Sequence, residues 1–419
     1  MIISVIIFLI AYLLVIWDRF DKIVVVLAGA FLMIIFRILS QESAFNEIDY
    51  NTLGLLISMM LIVIISKRSG MYEYLALKMV KIAGFQPFKI IILLSLITGL
   101  LSSVLDNVTT ILLILPVTLS IAKDLHMNPV PFIISEVFAS NTGGSATLIG
   151  DPPNIMISGP SGLGFMDFIY NTALIAIPIL FLTTFIIAII YRKKLIASED
   201  AKEIIMKMDE KKCIKDRKLL AKSIIVLALT IAGFSLHGIL HYESATVAIG
   251  GAVILLLISG IRPERVLHEI EWKTIFFFVG LFIMVGGIKE SGVIGLLAKN
   301  ALRLTHGDIF LTAMAILWVS AIASAFIDNI PFVTIMIPMI AKMGTLSNMD
   351  LMPLWLALSL GACLGGNGTI IGASANVIAT GMAEEHGHKI SFGGYFKVAF
   401  PMMLLTILIT SIYLTFRYL

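Results

Sequence analysis

The stretch SSVLDNVTTILLILP, residues 102–116, is followed along the chain by SNTGGSATLIGDPPN, residues 140–154. In both, polar residues, glycines or prolines interrupt segments that are otherwise apolar enough for lipid. Backbone released from a helix at membrane depth is tolerated only where it lines a protein-enclosed cavity, because hydrocarbon offers no hydrogen bonds. A carboxylate is also costly there, so Asp106 is a candidate for a functional role.

The same pattern returns later in the chain as SAFIDNIPFVTIMIP, residues 324–338, and GGNGTIIGASAN, residues 365–376. The offset is constant, since 328 − 106 and 376 − 154 both give 222. Glycine, proline, aspartate and asparagine positions obey this shift without a gap, which chance hydropathy would not produce. The sequence therefore predicts two repeats, residues 1–197 and 223–419, separated by a charged linker over 198–222.

The composition predicts an all-α polytopic membrane protein. Of the 419 residues, 59% are hydrophobic and only 14% are charged, as in a bundle of lipid-spanning helices. The apolar runs are continuous and do not alternate, which excludes a β-barrel. A net charge of +3 gives no indication of nucleic acid binding, and two cysteines form no disulfide framework or metal motif.

Hydropathy predicts about ten crossings, two of them broken, and two re-entrant hairpins. The unbroken crossings are predicted near 2–17, 22–39, 52–66, 168–191, 219–236, 245–260, 274–288 and 395–415. The broken crossings are predicted at 130–158 and 354–380, and the hairpins at 87–123 and 309–343. Residues 69–83 and 291–305, which mix apolar and charged positions, are interpreted as interfacial helices.

Five crossings per repeat is an odd number, so the second repeat enters the membrane from the opposite side. This inverted-topology arrangement is typical of secondary transporters that bind substrate near the midplane at broken helices. The cation-rich stretch 192–222 predicts a cytoplasmic linker. Tracing outward places both termini outside a plasma (inner) membrane.

Asp106 and Asp328 head the second arm of each hairpin. One interpretation is an N-cap, because Asp and Asn satisfy the first free N–H groups of a helix. The other is cation or proton binding by a desolvated carboxylate. The two interpretations are compatible.

The two broken crossings carry Ser140-Asn141-Thr142 before Gly143-Gly144, and Asn367-Gly368-Thr369 after Gly365-Gly366. We expect these groups to break the helices, offering carbonyl groups to a cation and N–H groups to an anion. A simple kink, with Ser or Thr satisfying the backbone, is the alternative.

Two acids interrupt the repeat symmetry. Glu136 corresponds to Leu358, and Asp151 corresponds to Ala373. Glu136 lies one helical turn before Ser140 and is either a coupling-proton site or an acid paired with a neighbour. One repeat is therefore expected to carry more of the ion binding than the other.

The predicted substrate- and ion-binding residues are those of the hairpin tips and the broken helices. They are Ser102, Asp106, Asn107, Thr109, Glu136, Ser140, Asn141, Thr142, Gly143, Asp151, Asn154, Ser324, Asp328, Asn329, Gly366, Asn367, Thr369 and Asn376. Sodium is a possible ligand of Asp106, Asn107, Asp328 and Asn329. Neither a phosphate-binding loop nor a metalloprotease or serine-hydrolase motif is present, so no enzyme and no cofactor is predicted.

The chain resembles the ArsB/NhaD permeases of the ion transporter superfamily, whose members carry a citrate-transporter-like domain. Within that group it is most similar to the P protein (pink-eyed dilution) branch. The resemblance rests on LDNVTTILLILPVT at 105–118, EVFASNTGGSATLIGDPPN at 136–154 and FIDNIPF at 326–332.

This resemblance implies a homodimer with a scaffold domain and an elevator-type transport domain, coupled to sodium or protons. Ser-Asn-Thr tips frame sodium and substrate in the family's symporters, whereas this chain has Asp106-Asn107 and Asp328-Asn329. The added negative charge argues against dicarboxylate symport. Uncharged arsenite would suit a polar pocket without a fixed basic residue.

The sequence therefore favours an ion-coupled secondary transporter that moves a small inorganic ion or solute, with arsenite or antimonite efflux as the leading prediction. Sodium/proton antiport is the alternative. An organic-anion or citrate-type symporter and a passive anion channel are weaker alternatives. The lipid bilayer and a second copy of the chain are the expected partners, and nucleic acid is not.

Overall fold

The computed structural model describes residues 1–17, 20–84, 86–195, 203, 209–240, 242–347 and 349–419. No β-strand occurs within these ranges. Much of the linker predicted over 198–222 lies outside the described residues.

The first half of the chain forms eleven helices within the described ranges. They are α1 (Ile2–Trp17), α2 (Lys22–Ile35), α3 (Gln41–Asn46), α4 (Tyr50–Lys67), α5 (Met71–Ile82), α6 (Pro87–Ser102), α7 (Asn107–Asp124), α8 (Val130–Gly144), α9 (Pro152–Ser161), α10 (Phe165–Phe168) and α11 (Leu174–Tyr191). A π-helical turn, Ile169–Ala173, joins α10 to α11.

The second half forms ten helices on the same basis. They are α12 (Arg217–Leu240), α13 (Ser244–Ser259), α14 (Pro263–Leu267), α15 (Trp272–Glu290), α16 (Val293–Leu304), α17 (Ile309–Phe326), α18 (Asn329–Leu346), α19 (Met352–Gly365), α20 (Ser374–Glu385) and α21 (Phe392–Tyr418).

Helix boundaries in the two halves repeat at the offset seen in the sequence. Adding 222 to the bounds of α5 gives those of α16, and adding 222 to those of α7 gives those of α18. The residues before α5 and α16, Gly70 and Gly292, have φ values of +80° and +79°. Only glycine adopts this left-handed backbone readily, so the shared glycine has a conformational reason.

Small residues allow two helix pairs to approach closely in the same way. A Cβ added to Gly143 on α8 would lie 2.0 Å from the carbonyl oxygen of Gly99 on α6. In the second half, a Cβ on Gly365 would lie 2.5 Å from the carbonyl oxygen of Ala321. These contacts hold each broken helix against the first arm of its hairpin.

The break in the first half falls later than the sequence predicts. Helix α8 runs through Ser140-Asn141-Thr142 and ends at Gly144, and the interruption covers residues 145–151 before Pro152 starts α9. In the second half α19 ends at Gly365, and short 3₁₀ turns cover 366–368 and 370–372. The prediction that Ser140 to Gly144 interrupt the helix is wrong, because these glycines serve close helix packing instead.

Eight helical segments within the described ranges are long and apolar enough to cross a membrane. They include α7, α17 and α18, which are hairpin arms, and four shorter apolar helices complement them. The outer faces of the bundle expose large apolar side chains, such as Leu13 at 64% and Leu257 at 78% exposure. Such surfaces are suited to lipid rather than water.

Ion pairs join the halves at two repeat-related places. The end of α4 contacts the segment after α14 through Arg68 and Glu269. The end of α15 contacts the segment after α3 through Lys289 and Glu47, at 2.9 Å. Glu47 and Glu269 are 222 residues apart, so the two pairs tie the halves together at equivalent positions.

Candidate functional site

The two hairpin tips meet at one cavity of about 480 Å³. Asp106-Asn107 and Asp328-Asn329 both line it, together with Asp151 from the first break. The tips are therefore adjacent in the folded chain, although 222 residues separate them in sequence.

Both tip aspartates cap the helices that they precede. Asp106 Oδ1 accepts a hydrogen bond from the Thr109 backbone N–H at 2.8 Å, and Oδ2 accepts one from Thr109 Oγ1 at 2.5 Å. Asp328 Oδ1 accepts one from the Ile330 N–H at 3.3 Å, and Oδ2 accepts one from Ser374 Oγ at 2.7 Å. The capping interpretation therefore holds, and both carboxylates still line the cavity.

Asp151 lies where side chains from both hairpins converge. Asn107 Nδ2 donates to its Oδ1 at 3.4 Å, and Asn329 Nδ2 donates to the same oxygen at 3.3 Å. The residue is fully buried, and no cation pairs with it among the described residues. Its repeat partner is Ala373, so this centre contains one carboxylate supplied by the first half.

A network of asparagine side chains extends this centre across the interface between the halves. Asn107 Nδ2 donates to Asn141 Oδ1 at 3.1 Å. Asn141 Nδ2 donates to Asn367 Oδ1 at 3.0 Å and to Asn376 Oδ1 at 2.9 Å. Asn367 Nδ2 donates to Thr142 Oγ1 at 3.5 Å. Amide groups both donate and accept, so this network stays satisfied without a fixed charge.

Asn154 and Asn376 hold the two breaks in shape. Asn154 Nδ2 donates to the Thr147 carbonyl at 2.9 Å, and Asn376 Nδ2 donates to the Thr369 carbonyl at 2.8 Å. Asn376 also donates to the carbonyl of Gly366 at 2.8 Å. Carbonyl groups left free by a helix break need such donors when they are buried.

Four further predicted site residues make contacts that tie the hairpins to the broken helices. Ser102 Oγ donates to the Ser140 carbonyl at 2.7 Å, and Ser324 Oγ donates to the Ala362 carbonyl at 2.6 Å. Ser140 Oγ donates to the Asn107 carbonyl at 2.9 Å, and Thr369 Oγ1 donates to the Ala325 carbonyl at 2.5 Å. These hydroxyl groups position the backbone and do not line the cavity.

Glu136 stands apart from the cavity. Its Oε1 accepts a hydrogen bond from Thr118 Oγ1 at 2.6 Å, and the side chain is fully buried. It does not contribute to the cavity lining. The structure therefore does not bring Glu136 to the Asp151 centre.

Sequence reasoning missed charged residues at the starts of α2 and α15. Asp21 and Lys22 line the cavity from one side, and Glu271 and Lys273 line it from another. The expected pocket without a fixed basic residue is therefore wrong. An acid and a lysine at the start of an otherwise apolar helix were the available signal.

No group of three or more His, Cys, Asp or Glu side chains in the described parts of the chain is arranged to hold a metal ion. Sodium, which prefers oxygen ligands, would depend on Asp106, Asp328 or Asp151 together with amide and carbonyl oxygens. The site suits such a transported ion better than a tightly bound transition metal.

Comparison with known proteins identifies the family. The model of the citrate transporter family matches residues 12–361. The chain belongs to the citrate transporter family. The predicted resemblance to the ion transporter superfamily is thereby confirmed.

Relatives of this citrate transporter family member agree. It is 40% identical over 425 residues to a protein of Mycobacterium tuberculosis (strain H37Rv) named an uncharacterized transporter, covering 100% of this chain and 98% of that one. It is 32% identical to the human P protein, covering 88% of this chain and 53% of the P protein. This family member is an integral membrane transporter of the secondary type and not an enzyme.

A solved structure shares the fold. The crystal structure of the YdaH transporter from Alcanivorax borkumensis, described as revealing an unusual topology, superposes with a TM-score of 0.61. The match covers 96% of this chain and 97% of that one at 15% identity. At this identity the similarity concerns the fold alone.

Proposed function

We propose that this chain is a cation-coupled secondary transporter whose coupling ion binds at Asp151, with sodium/proton exchange as the activity that the site supports best. The observation that carries this proposal is the convergence of Asn107 and Asn329, one from each half, on one buried carboxylate. A buried carboxylate surrounded by neutral donors has its charge balanced when it binds a cation or a proton. Such a group can exchange one for the other.

The charge of the cavity lining supports a cation as the transported species. The lining has five carboxylates, Asp21, Asp106, Asp151, Glu271 and Asp328, and two lysines, Lys22 and Lys273. A multiply charged anion such as citrate would meet an excess of like charge there. We infer that citrate, the anion in the family's name, is not the cargo of this member.

Arsenite efflux, the leading prediction from the sequence, becomes the second candidate. The observation that favours it is the asparagine network around Asn141, since amide groups can bind a neutral trihydroxide by donating and accepting hydrogen bonds. Lysines in the cavity lining remove the earlier reason for placing it first.

We infer that residues 1–197 and 223–419 are inverted repeats that move a substrate by an elevator motion in a homodimer. The repeated helix bounds and the paired contacts Arg68–Glu269 and Lys289–Glu47 support equivalent halves. In the orientation predicted from cation-rich segments, with 192–222 cytoplasmic and both termini outside a plasma membrane, the starts of α2 and α15 lie on the cytoplasmic side. The cavity that they line would then face the cytoplasm.

Purified protein in liposomes with an imposed pH gradient tests the proposal. We expect proton movement when sodium or lithium is added, and none when arsenite or citrate is added. Arsenite-dependent proton movement without a sodium response would move arsenite efflux back to first place. Conductive chloride flux without proton coupling would contradict both and indicate a channel.

Asp106→Asn and Asp328→Asn separate the charge of the tips from their capping role. Asparagine caps a helix about as well as aspartate, so both variants should fold and retain thermal stability. We expect both to lose sodium-dependent proton movement if the tip charges contribute to the ion site. Wild-type transport by both folded variants would restrict the role of these residues to capping.

A further inference from the structure

Glu136 belongs to a buried polar cluster that exists in only one half of the molecule. Its carboxylate is bonded to Thr118 at 2.6 Å, and in the preceding position Ser135 Oγ accepts from Ser95 Oγ at 2.6 Å. Within this cluster, defined as Ser95, Thr118, Ser135 and Glu136, each side chain is at most 1% exposed. The cluster lies where α6, α7 and α8 pack together.

The second half shows what packing alone requires at these positions. Adding 222 to the four positions gives Leu317, Ile340, Ala357 and Leu358, all fully buried and all apolar. The same helix arrangement is therefore built without a hydrogen-bonding group. Burying polar groups where apolar ones fit is costly unless they have a function.

The second oxygen of Glu136 has no hydrogen-bond partner among the described residues. No lysine, arginine or histidine pairs with the carboxylate in that part of the chain. An unpaired negative charge at this depth is strongly unfavourable, and adding a proton removes it. The protonated carboxyl group also gains a donor that the unpartnered oxygen lacks.

The helices around Glu136 present few other titratable groups. On α7 these are Asp106 at its start and Lys123 and Asp124 at its exposed end, and α6 contributes Lys89 near its start. On α11 the titratable group is Tyr191, and α19 has Cys363. On α20 they are Glu384 and Glu385, which are exposed at its end.

Glu136 is linked to the Asp151 centre through its own helix and through α7. Ser140, one turn along α8, donates to the Asn107 carbonyl at 2.9 Å, and Asn107 in turn contacts Asp151. On α7, Thr110 lies one turn from Asn107, and its buried hydroxyl oxygen also has no partner among the described residues. Changes at the cluster can thus be transmitted to the hairpin tip.

We propose that the Glu136 cluster is a second ion site, which binds a proton, separate from the cation site at Asp151. The carboxylate takes up one proton from water and releases it in another stage of the transport cycle. This assignment deepens the proposed sodium/proton exchange and rests on it for its role in transport, whereas proton binding itself does not.

Infrared difference spectroscopy of the full chain in lipid tests proton binding directly. We expect a protonated-carboxyl band that disappears at high pH in the wild type and is missing in Glu136→Gln. A matched control is the double variant Glu136→Leu with Thr118→Ile, which copies the Leu358–Ile340 pair and should fold while lacking the band. A band that persists in both variants would overturn the assignment.

Sodium responses keep this test separate from the proposed function. We expect sodium to stabilise the wild type and Glu136→Gln against thermal unfolding, whereas Asp151→Asn loses that response. In liposomes, Glu136→Gln should retain sodium exchange but lose its dependence on the pH gradient. If sodium has no effect on the wild type, the proposed function fails while the infrared band still supports the proton site. Loss of the band on adding sodium at constant pH would instead show that the cluster binds sodium, and would overturn the proposal.

Discussion

The two halves of this transporter share a backbone but differ in the charges that they place inside it. Gly143 and Gly365 make the same close helix contact, and Ser102 and Ser324 make the same hydrogen bond to the broken helix. Asp151 and Glu136, in contrast, correspond to Ala373 and Leu358. Architecture has been kept in both halves, while ionisable groups have been concentrated in the first.

This difference teaches that the second half contributes neutral donors to a site whose charge comes from the first. Asn329 reaches across the interface to Asp151, and Asn367 and Asn376 accept from Asn141. A single carboxylate shared by both halves can respond to the movement of either hairpin. The predictions below break or sharpen this comparison.

The largest effect is expected for Asp151→Asn. A cation about 4 Å from a carboxylate gains about 4 kcal/mol at an effective dielectric constant of about 20, which corresponds to about a thousandfold in affinity. Sodium-dependent flux in liposomes should therefore be abolished. Restoration of flux by adding Ala373→Asp to this variant would show that either half can supply the charge, and unchanged flux in Asp151→Asn alone would contradict the assignment.

The two tip asparagines should have similar effects despite coming from different halves. Asn107→Ala and Asn329→Ala each remove one donor to Asp151, and a hydrogen bond to a charged group contributes about 1.5–3 kcal/mol. We expect each to weaken ion binding by about ten- to a hundredfold, measured as the sodium concentration at half-maximal flux. A loss confined to Asn107→Ala would mean that the second half does not take part in the site.

Helix contacts shared by the halves should be equally sensitive to added volume. Gly143→Ala and Gly365→Ala place a methyl group 2.0 Å and 2.5 Å from a backbone oxygen of the neighbouring helix. Overpacking of this kind costs about 1–3 kcal/mol. Thermal unfolding should show destabilisation in both variants, larger for Gly143→Ala, and wild-type stability of either one would argue against tight packing there.

Gly70 and Gly292 have the same backbone conformation but different surroundings. A Cβ on Gly70 would lie 1.8 Å from the Cys213 carbonyl oxygen, while Gly292 has nothing within 4 Å. Residues 209–215 of the linker dock here, since the Lys215 N–H donates to the Ser69 carbonyl at 2.9 Å. Both alanine variants carry a left-handed strain of about 1–2 kcal/mol.

Only Gly70→Ala should in addition release the docked linker. Limited proteolysis should therefore cleave Gly70→Ala within the linker faster than Gly292→Ala. Equal cleavage rates would show that the contact with Cys213 is not required for docking.

The smallest effect concerns pH and the docked linker. Lys81 donates a hydrogen bond to Glu210, and this contact lowers the pKa of the Glu210 carboxyl group below its usual value. The stabilisation is present above the ordinary pKa of glutamate and is lost as the pH falls through the lowered value. Acidification should thus increase cleavage of the linker in the wild type, and Glu210→Gln should remove that pH dependence.

Much of the fold could be predicted from residue patterns along the chain. Long apolar runs predicted membrane helices such as α4, found at Tyr50–Lys67, and the offset of 222 residues predicted matching helices such as α7 and α18. The capping role of Asp106 followed from its position before an apolar run. The position of the first break was wrong, because Gly143 serves a contact with α6 that no local pattern reveals.

Side-chain partners within the site could be predicted only in part. Asp151 was a candidate, but nothing in the sequence places Asn329, 178 residues away, against its carboxylate. Lys22 and Lys273 were missed because each is a single charge at the start of an apolar helix. Such residues resemble ordinary interfacial anchors until helix packing places them beside a cavity.

The amino-acid sequence by itself determined that this protein is a helical membrane transporter with two related halves, because hydropathy and local backbone chemistry depend on neighbouring residues. Tertiary structure alone decided that Asp151 is the shared centre, that the tip asparagines of both halves converge on it, and that Glu136 lies apart with Thr118. These contacts join residues far apart in the chain, so they arise only when the helices pack and bring those side chains within hydrogen-bonding distance.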